Sequence, residues 1–247
     1  MRNYLTELIG TFFLVLTVGL TVMNGSPMAP LAIGGSLMIM VYMGGHISGG
    51  HYNPAVSLAA MLRGALPARE LVPYIVSQLV GAVLAAFVAS HLTGSTFAPA
   101  PAADASVLQA LVVEALFSFA LCLVVLQVAT NPETEGNSYY GLAIGFTIVV
   151  AAFAGGPISG GAFNPAVGFG PILVQAIIAH GSFVDLWLYL VGPAVGRAAG
   201  APGVRGVRED ARGRAHAHAV GDEQPGNRAG AAVEVRSGRV ADEEAAG

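Results

Sequence analysis

The sequence has no lysine, and only Arg2, Arg63 and Arg69 supply basic charge before Arg197. Its 247 residues are 11% charged and 54% hydrophobic, whereas a typical soluble domain is about 25% charged. A nucleic-acid partner needs a clustered basic surface, and the chain does not offer one before Arg197. The composition instead predicts a membrane protein whose surroundings are the lipid bilayer.

Side chains that carry chemistry are also scarce. Cysteine occurs once, at Cys122, so an internal disulfide is excluded. His46 and His51 have no third metal ligand near them, so no metal site is predicted. Ser48 and Ser159 lie in similar glycine-rich stretches, but no His, Lys or Asp recurs beside both. An intramembrane enzyme would need such a base beside its nucleophile. We therefore expect no catalytic residues, no cofactor and no enzyme activity.

Long hydrophobic runs dominate the first 196 residues. A spanning helix needs about 20 mostly apolar residues, and five stretches meet that length, with a sixth that begins near Val184. The five are 4–23, 29–47, 70–92, 106–129 and 138–156. The first could be a signal peptide, but it is longer than the usual apolar region and no small-residue cleavage site follows promptly. A spanning helix is therefore predicted there.

One eleven-residue segment occurs twice, 111 residues apart. The copy at 46–56 reads HISGGHYNPAV and the copy at 157–167 reads PISGGAFNPAV, with eight identical positions. In each, a glycine-rich stretch precedes an Asn suited to cap a helix and a Pro suited to its first turn. The apolar runs that follow, as far as Leu62 and Ala179, are too short to cross a membrane. They predict two half-helices with free N–H groups and positive dipole ends at their starts.

Asn-Pro-Ala in both halves of an apolar chain resembles the major intrinsic protein, or aquaporin, family, from about Tyr4 to about Val195. The resemblance implies an all-α membrane protein with six transmembrane helices and two re-entrant half-helices in an inverted repeat, because three spans per half invert the second half. The first repeat would cover 1–92, and the second 106–204 with a possibly incomplete sixth helix.

The resemblance also implies a passive channel for water or small neutral solutes such as glycerol, ammonia, urea or peroxide. Its pore motif comprises Asn53, Pro54, Ala55, Asn164, Pro165 and Ala166. The two Asn amides would point into a single-file pore, where they and the helix dipoles repel cations and interrupt proton transfer. The alternative for each Asn is a plain helix cap. The rival to a channel is a non-conducting or structural membrane protein.

Three further residues receive roles from the resemblance. Glu7 and Glu114, near the starts of the first and fourth helices, would accept hydrogen bonds from the two loops and so brace them. Alternatively, both lie near helix ends in the lipid headgroup region. His51, two residues before Asn53, would line the pore, or else it is a neutral side chain bonded to loop carbonyls. Gln78 is expected to bond between helices.

By offset from the two Asn residues, the narrowest point of the family's pore maps to four positions. These are Ile33, Ala152, Gly161 and Val167. Water-selective members usually have an aromatic residue, a His and an Arg among the four, and this chain has none of them. Such a constriction is predicted to be wider and more apolar, so that it admits larger neutral solutes. Glycerol-specific members usually carry Asp where Gly168 stands, so a glycerol assignment gains no support.

Topology and the C-terminal region complete the expectations. The early arginines would lie on one side of the bundle, which places both termini in the cytoplasm of a multi-pass protein in the plasma or inner membrane. The family resemblance implies a homotetramer. Residues 197–247 contain no Leu, Ile, Phe, Tyr, Trp or Met, so they cannot form a core. The stretch 205–247 is interpreted as a disordered tail or as a sequence read out of frame.

Overall fold

The structure, a computed structural model, describes residues 1–197, and every regular element in that range is helical. The α-helices are α1 (Arg2–Met23), α2 (Ala29–Ser48), α3 (Pro54–Arg63), α4 (Ala68–Thr93), α5 (Val107–Thr130), α6 (Tyr140–Ser159), α7 (Pro165–Ala179) and α8 (186–197), with one 3-10 turn at Pro132–Thr134. The predicted all-α membrane fold is confirmed. The part of the second repeat beyond Arg197 and the tail at 205–247 lie outside the described residues.

Five of these helices are long and apolar enough to cross a membrane: α1, α2, α4, α5 and α6. They match the five predicted spans within a few residues at each end. The start of α8 differs slightly, since Val184 and Asp185 form a turn and the helix begins at 186. Large apolar side chains such as Phe13, Leu92 and Leu116 are exposed on the outer surface, as expected for helices that face lipid tails.

The two halves of the bundle are joined by a close crossing of α2 and α6. A Cβ on Gly34 would lie 2.5 Å from the carbonyl oxygen of Gly145, and a Cβ on Gly145 would lie 2.5 Å from that of Gly34. Any larger side chain at either position would force the backbones apart. Small residues at helix contacts allow this approach in membrane proteins.

The loops that lead into α3 and α7 share one backbone conformation. Each preceding helix ends in a left-handed glycine, and the residue before each Asn also has a positive φ, although it is aromatic. The matching φ values are 93° at Gly49 and 86° at Gly160, 63° at Gly50 and 66° at Gly161, and 49° at Tyr52 and 50° at Phe163. A positive φ is uncommon for an aromatic residue, so other contacts must hold both loops in this shape.

Candidate functional site

The first loop is held by a buried carboxylate on α1. Glu7 is fully buried, and its Oε1 accepts hydrogen bonds from the Ser48 hydroxyl at 2.6 Å and from the His51 backbone N–H at 3.0 Å. Its Oε2 accepts from the Tyr52 N–H at 2.7 Å and from Gln78 Nε2, also at 2.7 Å. Four donors thus converge on a group whose burial without partners would be very costly.

The second loop is held in the same way by α5. Glu114 is also fully buried, and its Oε1 accepts from the Ser159 hydroxyl at 2.8 Å and from the Ala162 N–H at 3.0 Å. Its Oε2 accepts from the Phe163 N–H at 2.7 Å. Both carboxylates therefore lie in the protein interior against the loops.

The two half-helices begin at Asn residues that also bond to each other's loops. Asn53 Oδ1 accepts from the Ala55 N–H at 2.8 Å, and Asn164 Oδ1 accepts from the Ala166 N–H at 2.9 Å, so both are helix caps. Asn53 Nδ2 donates to the Phe163 carbonyl at 3.0 Å. Asn164 Nδ2 donates to the Tyr52 carbonyl at 2.9 Å. Each amide uses one of its two N–H groups in this cross-connection.

A narrow cavity of about 30 Å³ lies beside this junction, large enough to hold a water molecule. It is lined by Asn53 and Asn164, by the four positions mapped from the family's constriction, and by further apolar side chains. The mapped four are Ile33, Ala152, Gly161 and Val167; the others are Leu14, Val18, Leu37, Leu121, Ile148 and Ala162. The structure thus brings all four constriction candidates together with both Asn amides.

A second, wider cavity of about 890 Å³ opens on the side of the bundle that carries the N-terminus. His51 lines it, together with Gly49, Tyr74 and Asn3. The His51 side chain is partly exposed, and its Nδ1 lies 3.1 Å from the Ser57 hydroxyl. His51 belongs to the loop, outside the spanning helices. Desolvation by the surrounding protein lowers the pKa of its imidazole, and the Glu7 carboxylate opposes that shift.

Sequence reasoning missed two parts of this site. It did not anticipate that the carbonyls of Tyr52 and Phe163 would accept the Asn amides. It also missed a repeated tyrosine contact: Tyr74 donates its hydroxyl to the Ser48 carbonyl at 2.8 Å, and Tyr189 donates to the Ser159 carbonyl at 2.6 Å. Each tyrosine is followed seven residues later by a glycine, Gly81 after Tyr74 and Gly196 after Tyr189. This repeated spacing was the available sequence signal, and it is weak without a structure.

Comparison with known proteins identifies the family. The family model described as Major intrinsic protein matches residues 1–202. Aquaporin NIP1-1 of Zea mays is 37% identical over 211 residues, which cover 81% of this chain and 73% of that protein. Nodulin-26 of Glycine max is 35% identical over 215 residues, covering 81% of this chain and 76% of that protein.

A solved structure supports the same fold. The X-ray structure of the aquaglyceroporin from Plasmodium falciparum matches with a TM-score of 0.74 at 22% identity, over 81% of this chain and 93% of that chain. Members of the matched family are channels, and nothing favours the non-conducting alternative. The chain belongs to the major intrinsic protein family, and it is a passive membrane channel for water and small neutral solutes.

Proposed function

We propose that this channel conducts a broad range of small neutral solutes along the line of the two Asn residues. The observation that carries the proposal is the narrow cavity in which, among the described residues, Asn53 and Asn164 supply the amide side chains and the other neighbours are mainly aliphatic. A wall of this kind offers few hydrogen bonds and no charge. Neutral molecules with a small apolar surface can replace part of their hydration there, whereas an ion cannot.

The two amides would orient the solute. Each uses its oxygen to cap a half-helix and one N–H to bond the opposite loop. The second N–H of each can donate to the oxygen of a passing molecule. A water that accepts from both amides turns its hydrogens away from the junction, so a continuous chain of hydrogen bonds for proton transfer is broken. The positive ends of α3 and α7 add to the barrier against cations.

Ile33, Ala152, Gly161 and Val167 would form the constriction. None carries a charge or a side-chain hydrogen-bond donor, so the barrier to cations rests on the central junction. Ala152 and Gly161 are small, which favours a wider passage than an aromatic and an arginine would leave. We therefore expect water and solutes of the size of glycerol, urea, ammonia or peroxide to pass.

Glu7 and Glu114 would act as braces that hold the loops in their uncommon conformation. His51 would line the entrance from the wider cavity. The few arginines near the N-terminal side support a cytoplasmic location for the termini in a plasma or inner membrane. We further propose a homotetramer, as in the resembling family, and no enzymatic activity.

Stopped-flow light scattering of vesicles that contain the full chain tests the pathway. Vesicles are challenged separately with sucrose, to drive water flow, and with glycerol. We expect both flows to exceed those of empty vesicles. Ala152→Trp should abolish both, since the indole fills the cavity. Phe153→Trp is the matched control, because Phe153 is 49% exposed on the outer surface and its replacement should leave both flows intact. Equal flows in the two variants would mean that solutes pass elsewhere.

A further inference from the structure

A hydrogen-bonded chain leads from the Glu7 brace to the wider cavity. Gln78 on α4 is fully buried, and its Nε2 donates to Glu7 Oε2 at 2.7 Å and to the Ser57 hydroxyl at 2.8 Å. Ser57, on α3, is fully buried as well, and its hydroxyl lies 3.1 Å from His51 Nδ1. These contacts connect α1, α4, α3 and the first loop.

The Glu7 carboxylate sets the donor-to-acceptor direction of the hydrogen bonds in this chain of contacts. Glu7 already accepts two backbone N–H groups and a hydroxyl, as an ionised carboxylate does. The Gln78 amide must therefore turn its NH₂ group toward Glu7, because a flipped amide would set its carbonyl oxygen against the carboxylate. This orientation leaves Gln78 Oε1 without a partner among the described residues. The same NH₂ group then makes the Ser57 oxygen an acceptor.

The hydrogen of the Ser57 hydroxyl has one available acceptor, His51 Nδ1. In the part of the chain that the structure describes, Gln78 Nε2 and His51 Nδ1 are the two partners of that oxygen. If Nδ1 carried the proton, the buried hydroxyl would accept twice and its own hydrogen would have no acceptor, which costs its full desolvation penalty. When the hydroxyl instead donates to an unprotonated Nδ1, its hydrogen has an acceptor and its oxygen still accepts from Gln78.

We propose that Gln78 and Ser57 are positioning residues that hold His51 in the Nε2–H tautomer, so that its ring donates a hydrogen bond to the oxygen of a solute entering from the N-terminal side. This inference rests on the proposed pathway and extends it. His51 Nε2 lies close to Gly49 at the wall of the wider cavity: a Cβ on Gly49 would stand 2.9 Å from it. A solute that enters from this side then meets the Nε2–H donor of His51 before it meets the two Asn amides.

Within residues 1–197, this chain of contacts occurs in the first repeat and has no counterpart in the second. Tyr74 and Tyr189 make equivalent contacts on α4 and α8, and Gly81 and Gly196 both pack against a carbonyl of the helix that bears the brace. When the two repeats are aligned on these residues, Gln78 corresponds to Pro193, whose side chain has no hydrogen-bond donor. The loop register likewise pairs Ser57 with Gly168 and His51 with Ala162. Among the described residues, Glu114 therefore has no equivalent hydrogen-bonded path to a histidine, and the two entrances to the pore differ in chemistry.

The tautomer can be measured directly on the full chain. Protein labelled with ¹⁵N-histidine is reconstituted in lipid vesicles, and the ring nitrogens are observed by solid-state NMR at neutral pH. His51→Asn assigns the His51 signals among the six histidines. We expect Nδ1 to be unprotonated and Nε2 protonated, with the Nε2–H form favoured about tenfold or more. A wild-type ring protonated at Nδ1 would overturn the inference without any variant.

Ser57→Ala removes the hydroxyl that donates to Nδ1, and we expect it to convert the single His51 tautomer into a mixture and to reduce water flow. Ser77→Ala is the matched control on α4, since the Ser77 hydroxyl bonds to the Pro73 carbonyl and lies outside the chain of contacts. It should keep the wild-type tautomer and flow. An unchanged tautomer in Ser57→Ala refutes the positioning role, and an altered tautomer with unchanged flow refutes the donor role. Absent flow in the wild type would instead count against the pathway.

Discussion

Asn164 donates its side-chain amide to the carbonyl oxygen of Tyr52 at 2.9 Å, across 112 residues of sequence. Asn53 makes the reciprocal bond to Phe163. The two half-helices are therefore linked at their N-terminal ends, and each link uses the carbonyl of an aromatic residue with a positive φ. Both carbonyls can accept these bonds because the loops adopt that uncommon conformation, which the buried carboxylates support through the adjacent N–H groups.

Asn53→Asp tests the link between the half-helices. Aspartate retains the oxygen that caps α3 but replaces the donor to Phe163 with an acceptor, so two oxygens would face each other. We expect a loss of about 2 kcal/mol in stability and a higher leak of protons or cations. Thermal unfolding in detergent and a pH-sensitive dye inside vesicles measure the two effects.

Asn24→Asp is the control for that substitution. Asn24 is exposed after α1, and its oxygen accepts from the Ser26 N–H, a bond that aspartate can keep. We expect wild-type stability and leak. If Asn53→Asp behaved like Asn24→Asp, the contact with Phe163 would contribute neither stability nor selectivity.

Replacing each brace by glutamine should disorder its loop. The amide presents an NH₂ group in place of a carboxylate oxygen that accepts two donors in Glu7 and at least one in Glu114, so at least one N–H or O–H donor is left unpaired. We expect Glu7→Gln and Glu114→Gln each to lower stability by about 3 kcal/mol, with the larger loss for Glu7, which has four donors. Thermal unfolding is the measurement. The same change at the exposed Glu133 should have no effect, and equal unfolding temperatures for all three variants would contradict the brace role.

Val167→Arg tests the constriction. The guanidinium would add bulk and hydrogen-bond donors to the cavity wall, so we expect glycerol flow to fall by about tenfold or more while water flow falls much less. Val167→Leu is the apolar control and should keep the ratio of glycerol to water flow near the wild-type value. The proposed breadth of the pore would be wrong if the arginine variant left that ratio unchanged.

Gly81→Ala should weaken the packing of α1 on α4. A Cβ at this position would meet the carbonyl oxygen of Leu8, which belongs to rigid helix backbone. Overpacking of this kind costs roughly 1–3 kcal/mol, to be measured by thermal unfolding. Gly35→Ala is the matched control on α2, where a Cβ would have no neighbour within 4 Å, and it should be neutral or slightly stabilising. If Gly81→Ala and Gly35→Ala lowered stability equally, the loss would come from replacing a helical glycine in general and not from the contact between α1 and α4.

The local features of this protein could be predicted from its amino-acid sequence. Apolar length located five spanning helices to within a few residues, because hydropathy depends on each segment alone. The Asn-Pro pairs located the starts of α3 and α7, since a cap and a proline act within one turn. Resemblance to a family supplied the inverted arrangement and the candidates for the constriction.

The contacts between groups that are distant in the sequence depend on tertiary packing. The bonds from Asn53 to Phe163 and from Asn164 to Tyr52, the convergence of Ile33 and Val167 on one cavity, and the path from Gln78 through Ser57 to His51 depend on how helices from different parts of the chain are placed. No local pattern specifies such placement, because these contacts form only when the two halves pack with α3 and α7 end to end in the interior.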